Sequence, residues 1–149
     1  MNIIDGDLIQ LAEQGLFDVI VHGCNCFCTM QSGIARQIKD NYPQAYQADL
    51  KTTKGDSAKL GTYSFSEAEI GNFVIVNAYT QFRYGRLKRY ADYDAIQRVF
   101  SAIKRDFSGK RIGYPLIGAG LAGGDWTIIS EIIDTELMRE DHTLVKYIG

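Results

Sequence analysis

The sequence has no apolar run long enough to span a membrane and no signal-peptide profile at its start, which leads us to expect a cytoplasmic protein with no membrane partner. Nor is there an excess of either charge. Sixteen basic residues against 18 acidic ones leave a formal −2, which excludes an overall positive field drawing the chain to nucleic acid or lipid. Cysteine is scarce and clustered: Cys24, Cys26 and Cys28 are odd in number and too close together to staple a fold, so they read as reduced thiols. Their alternation with His22 puts possible metal donors at every second position. Structural zinc sites use longer spacers and a second ligand pair, so small residues buried at a strand end are the preferred reading. No Gly-Lys-Ser/Thr follows any glycine cluster, which excludes a Walker phosphate loop.

What is present is a 149-residue chain with 46% hydrophobic composition, enough for one well-buried core and too little for two ordinary domains. Residues 1–149 are therefore expected to form one domain, and a monomer. Two segments share a design in which an apolar strand empties into a small-residue loop and a helix leaves it. One is Cys24 to Arg36, with Ser32-Gly33 at the helix start; the other is Arg111 to Trp126, with Gly118, Gly120, Gly123 and Gly124. Loops of this kind at helix amino ends let backbone N–H groups approach an anion. Two such cradles point to a diphosphate. Gly118 to Gly123 also fits G-x-G-x-x-G, but a dinucleotide site needs an acid after the next strand and further β-α units, which the remaining sequence does not supply.

Periodicity and punctuation give the element order β-α-β-α-α-β-β-α-β-α-β. Strands are expected at 2–4, 18–22, 60–65, 72–76, 111–117 and 143–148, with helices opening at Asp7, Ser32, Pro43, Asp92 and Asp125. The fold class is α/β: a mixed, mostly parallel six-stranded sheet with helices on both faces and one antiparallel hairpin. Residues 77–91 read as a long loop. Its Arg83, Arg86, Lys88 and Arg89, set among Phe82, Tyr84 and Tyr90, form either a contact surface for a phosphorylated partner or a solvated loop.

Four motifs in order, Ile4-Asp-Gly-Asp-Leu8, Val19-Ile-Val-His-Gly-Cys-Asn25, Ser32-Gly-Ile-Ala35 and the Gly118 to Trp126 loop, resemble those of macrodomains, the ADP-ribose-binding family, over nearly the whole chain. His-x-Cys-Asn, and Ser-Gly-Ile-Ala followed by Tyr42-Pro43, most resemble the branch that includes ADP-ribose-1''-phosphate phosphatases. The resemblance implies a three-layer α/β/α fold, ADP-ribose or a derivative as ligand, and no cofactor. It also implies roles for named residues. Asp7 would accept from the adenine amino group and Leu8 supply an N–H, Asn25 would contact the distal ribose, and Tyr147 would stack on adenine. Ser32, Gly33, Ile34 and Ala35 would line the diphosphate from one side, and Gly118, Ala119, Gly120, Leu121, Ala122 and Gly123 would wrap it from the other.

Each role has a structural competitor: Asp7 caps its helix, Asn25 suits a turn, and Tyr147 suits a core. Hydrolysis of a phosphate monoester needs a proton for the leaving oxygen, for which His22 is the candidate, with Asp125 as a carboxylate that orients water or the ring. Both also have plain structural uses, His22 in holding a loop and Asp125 in capping. A neighbouring branch of the family, which frees ADP-ribose from macromolecules, uses a lysine on the strand after the hairpin and an aspartate in the second loop. Here those places read Val74-Ile-Val-Asn-Ala-Tyr79 and Ala122. Release from a modified macromolecule and silent ADP-ribose reading are the alternatives to phosphatase activity.

Overall fold

The computed structural model describes residues 1–85 and 88–148, and among these six strands alternate with five α-helices. In chain order they are β1 (Asn2–Gly6), α1 (Leu8–Glu13), β2 (Val19–Cys24), α2 (Gly33–Asn41), α3 (Pro43–Leu50), β3 (Tyr63–Ala68), β4 (Phe73–Tyr79), α4 (Tyr93–Phe107), β5 (Arg111–Tyr114), α5 (Trp126–Glu136) and β6 (Asp141–Tyr147). The sheet runs β1-β6-β5-β2-β4-β3. Every neighbouring pair is parallel except the β3–β4 hairpin. No helix among the described residues is long and apolar enough to cross a membrane.

The helices cover both faces because the strands are apolar on both. Val19 and Val21 of β2 pack with Val76 and Ala78 of β4 under α4 and α5. Ile20 and Ile75, one residue out of phase, join Leu8, Ile9, Ile38 and Ala45 from α1, α2 and α3 on the opposite face. That alternation is the two-residue period of a strand. Full burial of side chains such as Ile96, Ile103 and Ile129 stabilises the fold by about 2 kcal/mol each.

The helix starts follow local chemistry. Asp7 accepts the Gln10 N–H at 3.1 Å, Asp92 the Ala95 N–H at 2.9 Å and Asp125 the Thr127 N–H at 2.9 Å, each satisfying an amide that the helix cannot. Pro43 separates α2 from α3. At the sheet's amino end, Arg111 of β5 grips Asp18 through two bonds of 2.9 and 3.1 Å, fixing β5 beside β2.

Several boundaries differ from the sequence reading. β2 continues two residues past His22 to Cys24, and β4 continues to Tyr79, so Asn77 to Tyr79 are strand rather than loop. Parallel pairing of His22 with Asn77 and Cys24 with Tyr79 extends both strands together. β5 stops at Tyr114, because Pro115 has no N–H to donate. The described residues between Thr80 and Asp92 form a loop closed at its neck by the Gln81–Ala91 bridge and by the Asp92 N–H donating to the Thr80 carbonyl at 2.9 Å.

Candidate functional site

The chain leaves β2 toward the α2/α3 face, whereas it leaves its neighbours β4 and β5 toward the α4/α5 face. Loops that diverge from adjacent strand ends leave a crevice beyond the sheet, where ligands bind in open α/β folds. A cleft of about 310 Å³ lies there. The end of β2 supplies Gly23 and Cys24, and the loop after it Asn25, Thr29, Met30 and Gln31; Ser32 at the start of α2 and Ala35 in its first turn follow; the loop after β4 supplies Gln81, Tyr84 and Gly85. Leu121 and Ala122 of the glycine loop close one side, and Asp49 of α3 lies at its base.

The β2–α2 loop is held in a conformation that L-residues resist, with Cys28 at φ 57° and Met30 at φ 42°. Its pins are numerous. The Cys26 N–H donates to the Phe82 carbonyl at 3.0 Å, and the Cys26 carbonyl accepts from Gly55 N–H at 2.7 Å and from Lys59 Nζ at 3.2 Å. Asn25 turns the chain: its Oδ1 accepts the Phe27 N–H at 2.8 Å and its Nδ2 donates to Thr29 Oγ1 at 2.7 Å. The cysteines fill this packing as buried thiols. Burial raises the Cys24 thiol well above its ordinary value and pushes Cys26 up to about 11, so neither is a thiolate near neutrality. Among the described residues no three His, Cys, Asp or Glu side chains gather as round a metal ion.

Among the described residues, backbone donors without protein acceptors stand at the start of α2 and in the glycine loop, the two segments that bring Ser32, Ala35, Leu121 and Ala122 to the cleft. Ser32 begins α2 without any side-chain capping bond, so the Gly33, Ile34 and Ala35 N–H groups at that end keep no capping partner. In the glycine loop, Gly123 N–H is used by the Gly120 carbonyl at 3.1 Å and Gly124 N–H by the Gly118 carbonyl at 2.7 Å. Among the described residues, the Gly120, Leu121 and Ala122 N–H groups find no protein acceptor. The Ala122 carbonyl accepts Tyr90 N–H at 2.8 Å and Ala91 N–H at 3.2 Å, binding the glycine loop to the loop after β4.

Of the sequence-derived residues, Asn25, Ser32, Ala35, Leu121 and Ala122 line the cleft. Gly33 and Ile34 in the first turn of α2, and Gly118, Ala119, Gly120 and Gly123 in the glycine loop, adjoin these residues without lining the cleft. Asp7, Leu8 and Tyr147 gather farther along the rim, at the carboxyl ends of β1 and β6, where Gly6 is in register with Tyr147. Tyr147 is 69% exposed there, outside the core, whereas Leu8 is buried. Sequence reasoning passed over Thr29, Gln31, Asp49 and Gln81, which no short motif announces, and named Tyr84 only as part of a contact surface for a phosphorylated partner.

The structure does not bring His22 or Asp125 to the cleft lining. His22 lies inside the sheet with no exposed surface, and its Nε2 is 2.6 Å from Asn77 Oδ1. Asn77 in turn donates to the Ala45 carbonyl at 3.0 Å, so the ring is part of the contact between the sheet and α3. The physical reason is the extra length of β2: a ring expected at the strand end sits two residues inside it. Asp125 caps α5, and its own N–H donates to the Tyr93 hydroxyl oxygen at 3.0 Å.

Burial pulls the His22 imidazole down to about 4 from 6.5, against the opposing effect of the Asn77 hydrogen bond. Between those values the unfolded chain binds a proton that the folded chain refuses. The stability contributed by His22 is whole above pH 6.5 and is lost toward pH 4, by about 1.4 kcal/mol per pH unit. His142, also lowered chiefly by burial, adds a slope of the same sign. Urea unfolding of wild type and His22→Ala at pH 7.5 and 4.5 is expected to show a variant weaker by about 2–4 kcal/mol at the higher pH, with a shallower loss on acidification. Equal pH slopes would contradict the buried neutral ring.

In the loop after β4, Arg83 lies over the rings of Phe27 and Phe82 at 5.4 and 5.5 Å, and Arg89 lies 4.2 Å from the Tyr93 ring centre. Lys88 is 5.5 Å from the Tyr90 ring. Arg86, the fourth member of this basic group, lies outside the described residues. A second, more open depression of about 410 Å³ continues from Met30 and Gln31 over Arg36 and Lys39.

A sequence model described as Macro domain matches residues 21–133. An uncharacterised 17.5 kDa protein from the tk-vs intergenic region of Enterobacteria phage T4 is 38% identical over 154 residues, covering 99% of this chain and 96% of the relative. Among solved structures, the macrodomain of Mycobacterium tuberculosis DarG is similar with a TM-score of 0.74 at 21% identity, covering 99% of this chain and 97% of that one. Thermosipho africanus DarTG, solved in complex with ADP-ribose, has a TM-score of 0.76 at 15% identity, covering 97% of this chain and 40% of that one. At such identities the two structures speak for the fold.

Proposed function

This chain belongs to the macro domain family, and on that premise we propose that its cleft binds ADP-ribose, with the pyrophosphate between the amino end of α2 and the Gly118–Gly124 loop. The observation that carries this reading is the pair of segments with unclaimed amide groups that line one cleft. A diphosphate accepts from both segments, and the dipole of α2 adds to the attraction. ADP-ribose bound to Thermosipho africanus DarTG, which shares the fold, supports the choice of ligand. Adenine lies along the rim at Asp7, Leu8 and the exposed Tyr147, two to three strand spacings or about 10–14 Å from β2. The distal ribose lies beside Asn25.

The hydrolytic step in this proposal is release of phosphate from ADP-ribose-1''-phosphate. Water attacks phosphorus, the bond from phosphorus to the ribose oxygen breaks, and that oxygen takes the proton given up by the attacking water. Amides of the glycine loop hold the phosphoryl oxygens. His22, enclosed by the sheet, acts as a positioning residue through Asn77 and the end of β2, and Asp125 remains the cap of α5. Purified protein given this substrate is expected to release phosphate above the uncatalysed rate. Calorimetry with ADP-ribose is expected to give one site, weakened about tenfold or more in Asn25→Ala, which loses both turn bonds. Binding without phosphate release would leave an ADP-ribose reader, and no binding by the wild type would end the proposal.

The basic rim favours a second reading, release of ADP-ribose from a modified macromolecule. Arg36 and Lys39 on one side and Arg83, Lys88 and Arg89 on the other would meet an anionic carrier beyond the ribose. A screen of ADP-ribosylated substrates separates this reading from the phosphatase.

A further inference from the structure

Asp49 lines the cleft yet is only 1% exposed. It stands in the last turn of α3, and its environment fixes one half of the carboxylate and leaves the other idle. The Tyr79 hydroxyl donates to Oδ1 at 2.7 Å. Oδ2 is buried and has no hydrogen-bond partner among the described residues. Lys59, the neighbouring cation, is spent elsewhere: Nζ donates to the Cys26 carbonyl at 3.2 Å, lies 3.6 Å from Cys28 Sγ and packs 4.6 Å from the Tyr79 ring centre. The backbone around Asp49 is equally fixed, because its carbonyl accepts from Thr52 Oγ1 at 2.6 Å and from Cys28 Sγ at 3.3 Å. The side chain therefore has little freedom to turn away and hydrate its second oxygen.

A buried acceptor without a donor is costly, and for a carboxylate more so than for an amide. Such an oxygen at the base of a ligand cleft calls for a donor brought by the ligand. Phosphate oxygens carry no proton to give and share the carboxylate's charge, so this end of the cleft does not suit the pyrophosphate. Sugar hydroxyls fit: they donate, they are neutral, and an ionised acceptor strengthens the bond.

We propose that Asp49 is the specificity residue of the cleft base, accepting through Oδ2 a hydrogen bond from a hydroxyl of the distal ribose. This rests on the reading of the cleft as an ADP-ribose site and adds to it a direction: sugar toward α3 and β4, phosphates toward the amino end of α2 and the glycine loop. It also explains why Tyr79, Thr52 and Cys28 converge on one residue. They hold it still for a partner that comes and goes.

Calorimetry with two ligands tests the assignment. ADP has the same adenosine and diphosphate as ADP-ribose but lacks the distal ribose. Asp49→Asn, which keeps an oxygen for the Tyr79 hydroxyl, is expected to lose about tenfold in ADP-ribose affinity while its ADP affinity stays within about twofold of wild type. Equal losses on both ligands would make Asp49 a structural residue, and no loss on either would make it a bystander; both results overturn the proposal. Should Asp49→Asn fail to fold, the wild type decides, since the proposal requires at least about a tenfold preference for ADP-ribose over ADP. A wild type that binds neither ligand would instead overturn the ADP-ribose reading itself.

Discussion

Gly120→Glu is expected to weaken ADP-ribose binding by about thirtyfold or more, with a melting temperature within about 2 °C of wild type. A Cβ on Gly120 would meet no atom within 4 Å, and the residue is not among the glycines with positive φ. The fold thus has room for a side chain at this position. The ligand does not. Glutamate adds a negative charge and four heavy atoms beyond the Cβ beside the unclaimed Gly120 and Leu121 amides, at the place assigned to the pyrophosphate. Like charges brought together in a partly desolvated cleft cost several kcal/mol, against about 1.4 for each tenfold in affinity. Calorimetry and a thermal melt on the same sample check both halves. Full affinity in the variant would remove the glycine loop from the site.

Four residues on, the same loop answers the opposite way. Gly124→Ala is expected to cost about 3 kcal/mol and lower the melting temperature by about 6–12 °C. An added Cβ there would stand 2.6 Å from the Gly118 carbonyl oxygen and 2.8 Å from Ile129 Cδ1. The first is backbone, and it already accepts the Gly124 N–H at 2.7 Å, so the turn cannot yield without opening. The second belongs to the core under α5. Differential scanning calorimetry of the two variants side by side separates glycine kept for ligand approach from glycine kept for closure. A melting temperature for Gly124→Ala equal to wild type would show that the loop relaxes freely.

Much of the fold is legible in the sequence because its signals are local. Asp7, Asp92 and Asp125 mark helix starts, and each accepts the amide its position requires. Pro43 and Gly109 mark ends, and the spacing of Ile96, Phe100 and Ile103, with the partly buried Phe107, gives α4 its inward face. The two loops that form the cleft are legible from their small residues. What the sequence conceals is where pairing stops. β2 and β4 prolong each other past the point where either looks like a strand, and that shared extension draws His22 into the sheet and Asn77 out of the loop. Asp49 is hidden for a different reason. Its meaning comes from Tyr79, 30 residues away, and from a cleft assembled by loops distant in the chain, so no neighbouring residue betrays it.

Backbone amide resonances report the central claim most directly. In a titration of isotopically labelled protein with ADP-ribose, the Ile34, Ala35, Gly120 and Leu121 amides are expected to shift together and saturate at one equivalent. Saturation with those four unmoved, or with shifts confined to another surface, would contradict the account.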